Sequence, residues 1–263
     1  MSSPRPVTVP DFRAAKGRGR LAVVTAYDFT SAKLADEAGA DAVLVGDSVG
    51  TVVQGHPTTL PVSLAQMAYH TECVARGAKR ALIVADLPFG SYQAGPAQAV
   101  RSAVQLLKAG AAAVKLEGGE RMADALAALV RADIPVMGHV GLTPQSVHRL
   151  GGFKVQRYAD RVVADAKAVA AAGAFAMVVE GVPSEVGAAV TAAADVPTIG
   201  IGAGPGCDGQ VLVWHDLLGL FDGFRPKFVK RYAELGELAR QAVKTYCDEV
   251  RAGAFPGPEH QFK

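Results

Sequence analysis

The sequence predicts an α/β protein of the (β/α)8 barrel class, and three observations carry that prediction. Short apolar runs ending in Gly, Asp or Pro alternate with Ala-rich segments of helical length from residue 21 almost to the end. That rhythm is the one a parallel sheet with helical crossovers produces. Eight such runs fit into 263 residues, as a closed barrel requires. Four helical segments end in AGA, RGA, KAGA and AAGA, with glycine where a helix C-terminus favours it. A doubly wound open sheet is the alternative, but it usually has fewer strands at this length.

The strands are expected at 21–28 (LAVVTAYD), 41–48 (DAVLVGDS), 81–88 (ALIVADLP), 112–118 (AAVKLEG), 134–142 (IPVMGHVGL), 175–183 (FAMVVEGVP), 197–204 (PTIGIGAG) and 210–219 (QVLVWHDLLG). Helices are expected at 30–38, 63–77, 96–109, 120–132, 158–172 and 184–194, with a long one at 227–252. Ser63, Pro96 and Ser184 stand at or beside helix starts. The step from 204 to 210 is too short for a helix. A single domain spans 1–263, with an N-terminal extension 1–20 and a C-terminal tail 253–263, and no linker or low-complexity tract interrupts it.

Half of the residues are apolar, and 27 basic against 25 acidic side chains leave a net charge of +2. Without a basic excess or cluster there is no electrostatic case for nucleic acid or an anionic membrane. The first 20 residues lack the apolar core of a secretory signal. The apolar stretch 168–179 is short of the roughly 18 to 20 residues that cross a bilayer. Cys73, Cys207 and Cys247 form no CxxC pair, which argues against a disulfide frame or a thiolate metal site. A cytoplasmic enzyme acting on small molecules is the expectation.

In a parallel barrel the strand C-termini and the loops after them build the active site. Here strand 2 ends in Asp47 and Ser48, strand 3 in Asp86, strand 4 in Lys115 and Glu117, strand 5 in His139 and strand 6 in Glu180. An Asp at a strand end is often a turn or cap residue, and a single His is more often structural than catalytic. Five successive strands aiming polar groups at one opening favour function. Several carboxylates without a thiolate, HExxH or paired-His spacing suit a hard cation held by oxygen, Mg²⁺ before others. Chelated by a 2-oxo acid, such an ion polarises the carbonyl and stabilises an enolate. A remaining carboxylate then removes the adjacent proton, and Lys115 holds a substrate carboxylate or oxyanion. A Schiff base on Lys115 is the competing chemistry.

The stretch GIGAGPGCDG (200–209) contains a formal GxGxxG at Gly204, Gly206 and Gly209. A strand rather than a helix follows it, and Val229 offers no ribose-binding acid, so a tight packing turn is expected instead of a dinucleotide site. Trp214, His215 and Asp216 read as structural, and His56, His70 and His148 have no partner in sequence.

Over residues 21 to 262 the chain closely resembles the ketopantoate hydroxymethyltransferase family. The resemblance is carried by TAYD (25–28), VGDSVG (45–50), GHPTTLPVSLAQMAYHT (55–71), DLPFGSY (86–92), VKLEGG (114–119), GHVGLTPQSV (138–147), GIGAGPGCDGQVLVWHDLLG (200–219) and PKFVKRY (226–232). It implies a barrel of the phosphoenolpyruvate/pyruvate-utilising type. It also implies transfer of a one-carbon unit from 5,10-methylenetetrahydrofolate to 3-methyl-2-oxobutanoate, giving 2-dehydropantoate for pantothenate and coenzyme A synthesis. By the same resemblance Asp47 and Asp86 ligate Mg²⁺ and Glu117 completes the metal environment through water. Asp47, Ser48, Asp86 and Lys115 hold substrate, Glu180 accepts the proton, and His139 is a mouth residue placed with the substrate-binding set. Family members are commonly homo-oligomers, typically decamers, and segments 1–20 and 253–263 are where subunit contacts are expected. Two departures, His148 and the pair Arg157-Tyr158, fall in the loop after strand 5, where folate docking or lid closure differs in detail. Two other readings stay open: a related Mg²⁺-dependent lyase or mutase indifferent to tetrahydrofolate, and a non-catalytic binder of small carboxylates.

Overall fold

The computed structural model describes residues 5–223 and 225–262; residues 1–4 of the expected extension, Phe224 and Lys263 of the expected tail lie outside them. The chain falls into two compact units, one ending at Val213 and the other beginning at Trp214. The whole barrel lies in the first.

Eight parallel strands close into a barrel in chain order. They are β1 (Leu21–Thr25), β2 (Ala42–Val45), β3 (Leu82–Asp86), β4 (Ala113–Lys115), β5 (Val136–Gly141), β6 (Ala176–Glu180), β7 (Thr198–Ile201) and β8 (Gly209–Leu212). β8 pairs with β1, Leu21 opposite Gly209, so no strand edge is left open. Val84, Ala113, Met137 and Val178 belong to one buried core cluster. Two residues further along the same strands stand Asp86, Lys115, His139 and Glu180. Because side chains alternate across a strand, each of these four continues the inward row of its strand. Asp47, Ser48 and Glu117 lie just past the ends of β2 and β4.

Helices Phe29–Glu37, Leu64–Gly77, Pro96–Lys108, Ala123–Arg131, Ala159–Ala171 and Ser184–Ala193 fill the expected crossovers, the fourth entered through a 3₁₀ turn at Glu120–Met122. The Ser63 hydroxyl accepts from Gln66 N, and the Gln66 side chain accepts from Ser63 N, a reciprocal cap. Gly39, Gly110 and Gly173 follow their helices at φ of 92°, 109° and 98°. Gly77 differs from that expectation. It is the last helical residue, and a Cβ there would lie 2.4 Å from the Phe29 carbonyl oxygen, so it permits close helix packing. No helix intervenes between β7 and β8. A Cβ at Gly204 would sit 2.4 Å from Ser184 Oγ, which makes the glycine-rich stretch a packing turn against the helix Ser184–Ala193.

Several short helices lie outside the expected set, and one of them closes the barrel. Val9–Ala14 is capped by Thr8 and Asp11 and buries Phe12 in the core cluster. The Phe12 ring meets Phe175 edge-on at 5.9 Å, beside the first residues of β1 and β6, so this helix closes the N-terminal end of the barrel. Phe12→Ala is expected to cost about 3 to 5 kcal/mol in urea unfolding, the usual range for a buried Phe. A loss under about 1 kcal/mol would mean that the ring contributes little to closing the barrel.

Lys16 reinforces the same closure through Asp208, whose carboxylate accepts from Lys16 Nζ at 2.9 Å, from Thr198 N at 2.9 Å and from Gly17 N at 3.2 Å. Burial alone would raise its pKa, but these donors outweigh burial and lower it. A lowered carboxyl pKa gives stability that is present above the unfolded value of about 3.9 and is lost as pH falls through the folded value. Asp208→Asn is therefore expected to destabilise the protein at pH 7 and to narrow the stability difference between pH 7 and pH 3, read from thermal melts.

In the second unit the expected strand 210–219 gives way after Leu212 to a short helix, Trp214–Leu217. The expected helix 227–252 begins only at Leu235 and ends at Ala252. Pro226 and a guanidinium bond from Arg225 to the Val229 carbonyl hold the preceding stretch in turns. Among the described residues no helix is long and apolar enough to cross a membrane.

Candidate active site

The polar strand ends form one connected cluster at the C-terminal mouth. Lys115 Nζ lies 3.0 Å from Asp86 Oδ1 and 3.2 Å from His139 Nδ1. The same Nδ1 is 3.5 Å from Glu117 Oε1, and His139 Nε2 is 3.2 Å from Glu180 Oε2. Asp86 Oδ2 accepts from Asp47 N at 3.0 Å, so the ends of β2 and β3 are tied together. Ser48 Oγ is 2.8 Å from Tyr27 OH, which in turn accepts from Thr25 Oγ1. All seven expected residues thus stand at the same end of the barrel. Asp47, Asp86, Lys115, Glu117 and His139 are buried, whereas the Glu180 side chain keeps 16% of its surface open.

Two further residues complete the cluster, and sequence reasoning gave neither a role. The Gln145 amide donates to Asp47 Oδ2 at 2.8 Å and to the Leu87 carbonyl at 3.0 Å, and its backbone N–H donates to Glu117 Oε2 at 2.9 Å. Its side-chain oxygen accepts from Tyr92 OH at 2.7 Å. Gln145 therefore braces two acids from different strands. The signal lay in PQS and GSY, within stretches that carried the resemblance, but neutral polar residues announce no partner. His70, unassigned from sequence, holds the Tyr27 carbonyl through Nδ1 at 2.6 Å.

Burial, then the charges of Asp86 and Glu117, push the Asp47 carboxyl up to about 8. Burial also raises Asp86, against the pull of Lys115. For Lys115 burial disfavours the ammonium, but Asp86, Glu117 and Asp47 outweigh it and its pKa rises. His139 behaves alike: burial and the Lys115 charge oppose protonation, yet Glu117 and Glu180 push it up to about 9. Its imidazolium then faces Glu117 from Nδ1 and Glu180 from Nε2, while the Lys115 ammonium lies close to Asp86. The site stores acids whose charge awaits a counterion.

A divalent cation fits that need. Asp86 Oδ1 is buried without a hydrogen-bond partner, since the Lys115 contact is a close approach of charges rather than an aligned bond. Among the described residues no three of His, Cys, Asp and Glu gather as a ready-made metal cage. Two carboxylates, Asp47 and Asp86, with remaining positions left to water and substrate, suit Mg²⁺ and not a structural zinc. Both Glu117 oxygens face other partners, which leaves it an outer position.

The sequence model of one protein family, described as ketopantoate hydroxymethyltransferase, matches residues 6–258. The chain belongs to that family. Among curated relatives, the 3-methyl-2-oxobutanoate hydroxymethyltransferase of Moorella thermoacetica is 56% identical over 263 residues, 98% of this chain and 98% of its own length. The enzyme of the same name from Paracoccus denitrificans is 57% identical over 257 residues, 96% and 93% of the two chains. Solved structures show the fold in more distant proteins. Phosphonopyruvate hydrolase complexed with oxalate and Mg²⁺ superposes with a TM-score of 0.64 at 19% identity, over 96% of this chain and 93% of that one. A 2,3-dimethylmalate lyase, of the PEP mutase/isocitrate lyase superfamily, gives 0.60 at 19% identity, over 97% and 91%. The chain is thus an enzyme of the ketopantoate hydroxymethyltransferase family, built on the barrel its sequence predicted.

Proposed function

We propose that this enzyme moves a one-carbon unit from 5,10-methylenetetrahydrofolate to 3-methyl-2-oxobutanoate, giving 2-dehydropantoate for pantothenate synthesis. The observation that carries this reading is a part-open carboxylate, Glu180, set beside a buried cluster of Asp47, Asp86 and Lys115. Asp47 and Asp86 would hold Mg²⁺, with Glu117 in an outer position, and the ion would supply Lewis-acid polarisation of the 2-oxo group. An Mg²⁺ and oxalate complex on the same fold supports a small oxo acid at such a mouth.

The remaining steps fall to side chains. Lys115 and Ser48 hold the substrate's oxygens, and the Lys115 ammonium offsets the negative charge that develops there. Glu180 removes the proton from C3, and the C–H electron pair enters the enolate. His139 Nε2, 3.2 Å from Glu180, sets a positive charge beside that carboxylate. Both C–N bonds that hold the donor's methylene carbon break as that carbon gains its bond to the enolate carbon and an oxygen from water, becoming the hydroxymethyl group; the C3 proton and one water proton pass to the two folate nitrogens, and tetrahydrofolate leaves. The homo-oligomer and the cytoplasmic setting implied by the family belong to the same reading.

The deciding experiment incubates enzyme, Mg²⁺ and acceptor in deuterated water, with and without methylenetetrahydrofolate. C3 exchange without the donor and 2-dehydropantoate only with it are expected. Turnover indifferent to the donor would make the enzyme a lyase or mutase. Gln145→Leu tests the brace: Mg²⁺ affinity by calorimetry should fall about 10- to 100-fold, as is typical when a ligand loses its outer partner. Unchanged affinity would mean that Asp47 orients itself without Gln145.

A further inference from the structure

Three arginines from three separate stretches converge on one cleft that the chemistry above leaves unused. They are Arg121 in the 3₁₀ turn Glu120–Met122, Arg149 in the short helix Val147–Leu150 and Arg161 on the helix Ala159–Ala171. Gly118, Gly119 and Val140 line the same cleft. A Cβ at Gly119 would meet Asp165 Oδ1 at 1.8 Å, and one at Gly118, whose φ is 126°, would meet Met122 Cγ at 2.7 Å. Bare backbone is what the cleft requires there.

Among the described residues none of the three guanidinium groups has a hydrogen bond or an ion pair. Asp165 is the acid on the lining, and its Oδ1 accepts from Glu120 N at 2.9 Å. Three positive charges less one negative leave an excess of two. Burial and the charges of Arg121 and Arg161 lower the Arg149 pKa, so the cations repel one another as they stand. Planar guanidinium forks of this kind match oxyanions two bonds at a time, and a bound anion would relieve the repulsion.

The cleft adjoins the proposed chemistry without entering it. Gly118 follows Glu117, and Val140 follows the inward-facing His139 with the opposite facing along β5. A folate donor carries its reactive carbon at the pterin end and its carboxylates at the far end, so a donor feeding the mouth sets its carboxylates outside it. We propose that the Arg121, Arg149 and Arg161 cleft binds the glutamyl carboxylates of the one-carbon donor, an inference resting on the folate reading above.

Two measurements on the full chain test it. In the first, p-aminobenzoyl-triglutamate is titrated by calorimetry onto wild type and the double variant Arg149→Gln/Arg161→Gln, with inorganic phosphate as competitor. The wild type is expected to bind it and the variant to bind at least about tenfold more weakly. In the second, KM is compared for monoglutamyl and triglutamyl methylenetetrahydrofolate. A wild-type preference of about tenfold for the triglutamyl donor should vanish in the variant, with acceptor KM and donor-free C3 exchange unchanged. Equal probe binding by both proteins, or a triglutamyl preference that survives in the variant, overturns the proposal. So does phosphate that displaces the probe fully while neither protein distinguishes the donors. Absence of turnover with either donor, with the probe bound and C3 exchange intact, sinks the folate reading instead.

Discussion

Glu180→Gln is expected to lower turnover by about 10² to 10⁴, the span a general base commonly contributes. C3 exchange in deuterated water should fall with it, because the substitution removes the acceptor of that proton. Glutamine keeps nearly the same volume and stays within reach of His139 Nε2, now 3.2 Å from the carboxylate. Mg²⁺ and oxo-acid affinity should therefore remain near wild type. A lower kcat and an equally lower kcat/KM mark an interaction made in the transition state alone. Exchange that proceeds at the wild-type rate would remove Glu180 from the base's place and direct attention to another mouth acid.

Asp86→Ala is expected to act on binding first. It removes one of the two direct metal donors and also the carboxylate that accepts from Asp47 N and pairs with Lys115. Mg²⁺ affinity should fall by more than the roughly 10- to 100-fold typical of losing an outer partner, and oxo-acid affinity should fall with it. The substitution also strands the buried Lys115 ammonium, a loss that usually costs about 3 to 5 kcal/mol of stability. Asp86→Asn, which keeps the shape, separates the two effects: weak Mg²⁺ with a folded barrel is expected. Normal calorimetric affinity for both ligands in either variant would show that the ion is held elsewhere.

The barrel was legible because its signal is local and repeated. Strands 2 to 6 each carry a run of apolar residues closed by polar ones, and the period of two along a strand fixes which residues face inward. Asp86, Lys115, His139 and Glu180 could therefore be placed together without knowing a single contact, since each continues an inward row. Gln145 could not. Its worth lies in bonds to Asp47, Leu87 and Tyr92, residues distant in sequence, and a glutamine carries no charge to reveal them. The helix Val9–Ala14 was hidden for another reason: it is short, contains Pro10 and buries only Phe12, too little for a periodic pattern. The late start of the last helix follows from Pro226 and the turns after it, which an apolar and basic composition disguises. His139 shows the limit of priors. A lone histidine is more often structural, yet this one stands within ion-pair distance of two acids at once.

The reactive groups grow largely from the barrel's own staves, with their charges set by neighbours one stave away. Lys115 faces Asp86 across the β3–β4 register and His139 comes from the next stave. Under the proposed function, proton chemistry of this kind is inherited with the scaffold, whereas donor docking is written in the connecting segments. An engineer seeking to alter donor docking can rewrite the span from 146 to 158 and leave the acid-base core of the enzyme as it stands.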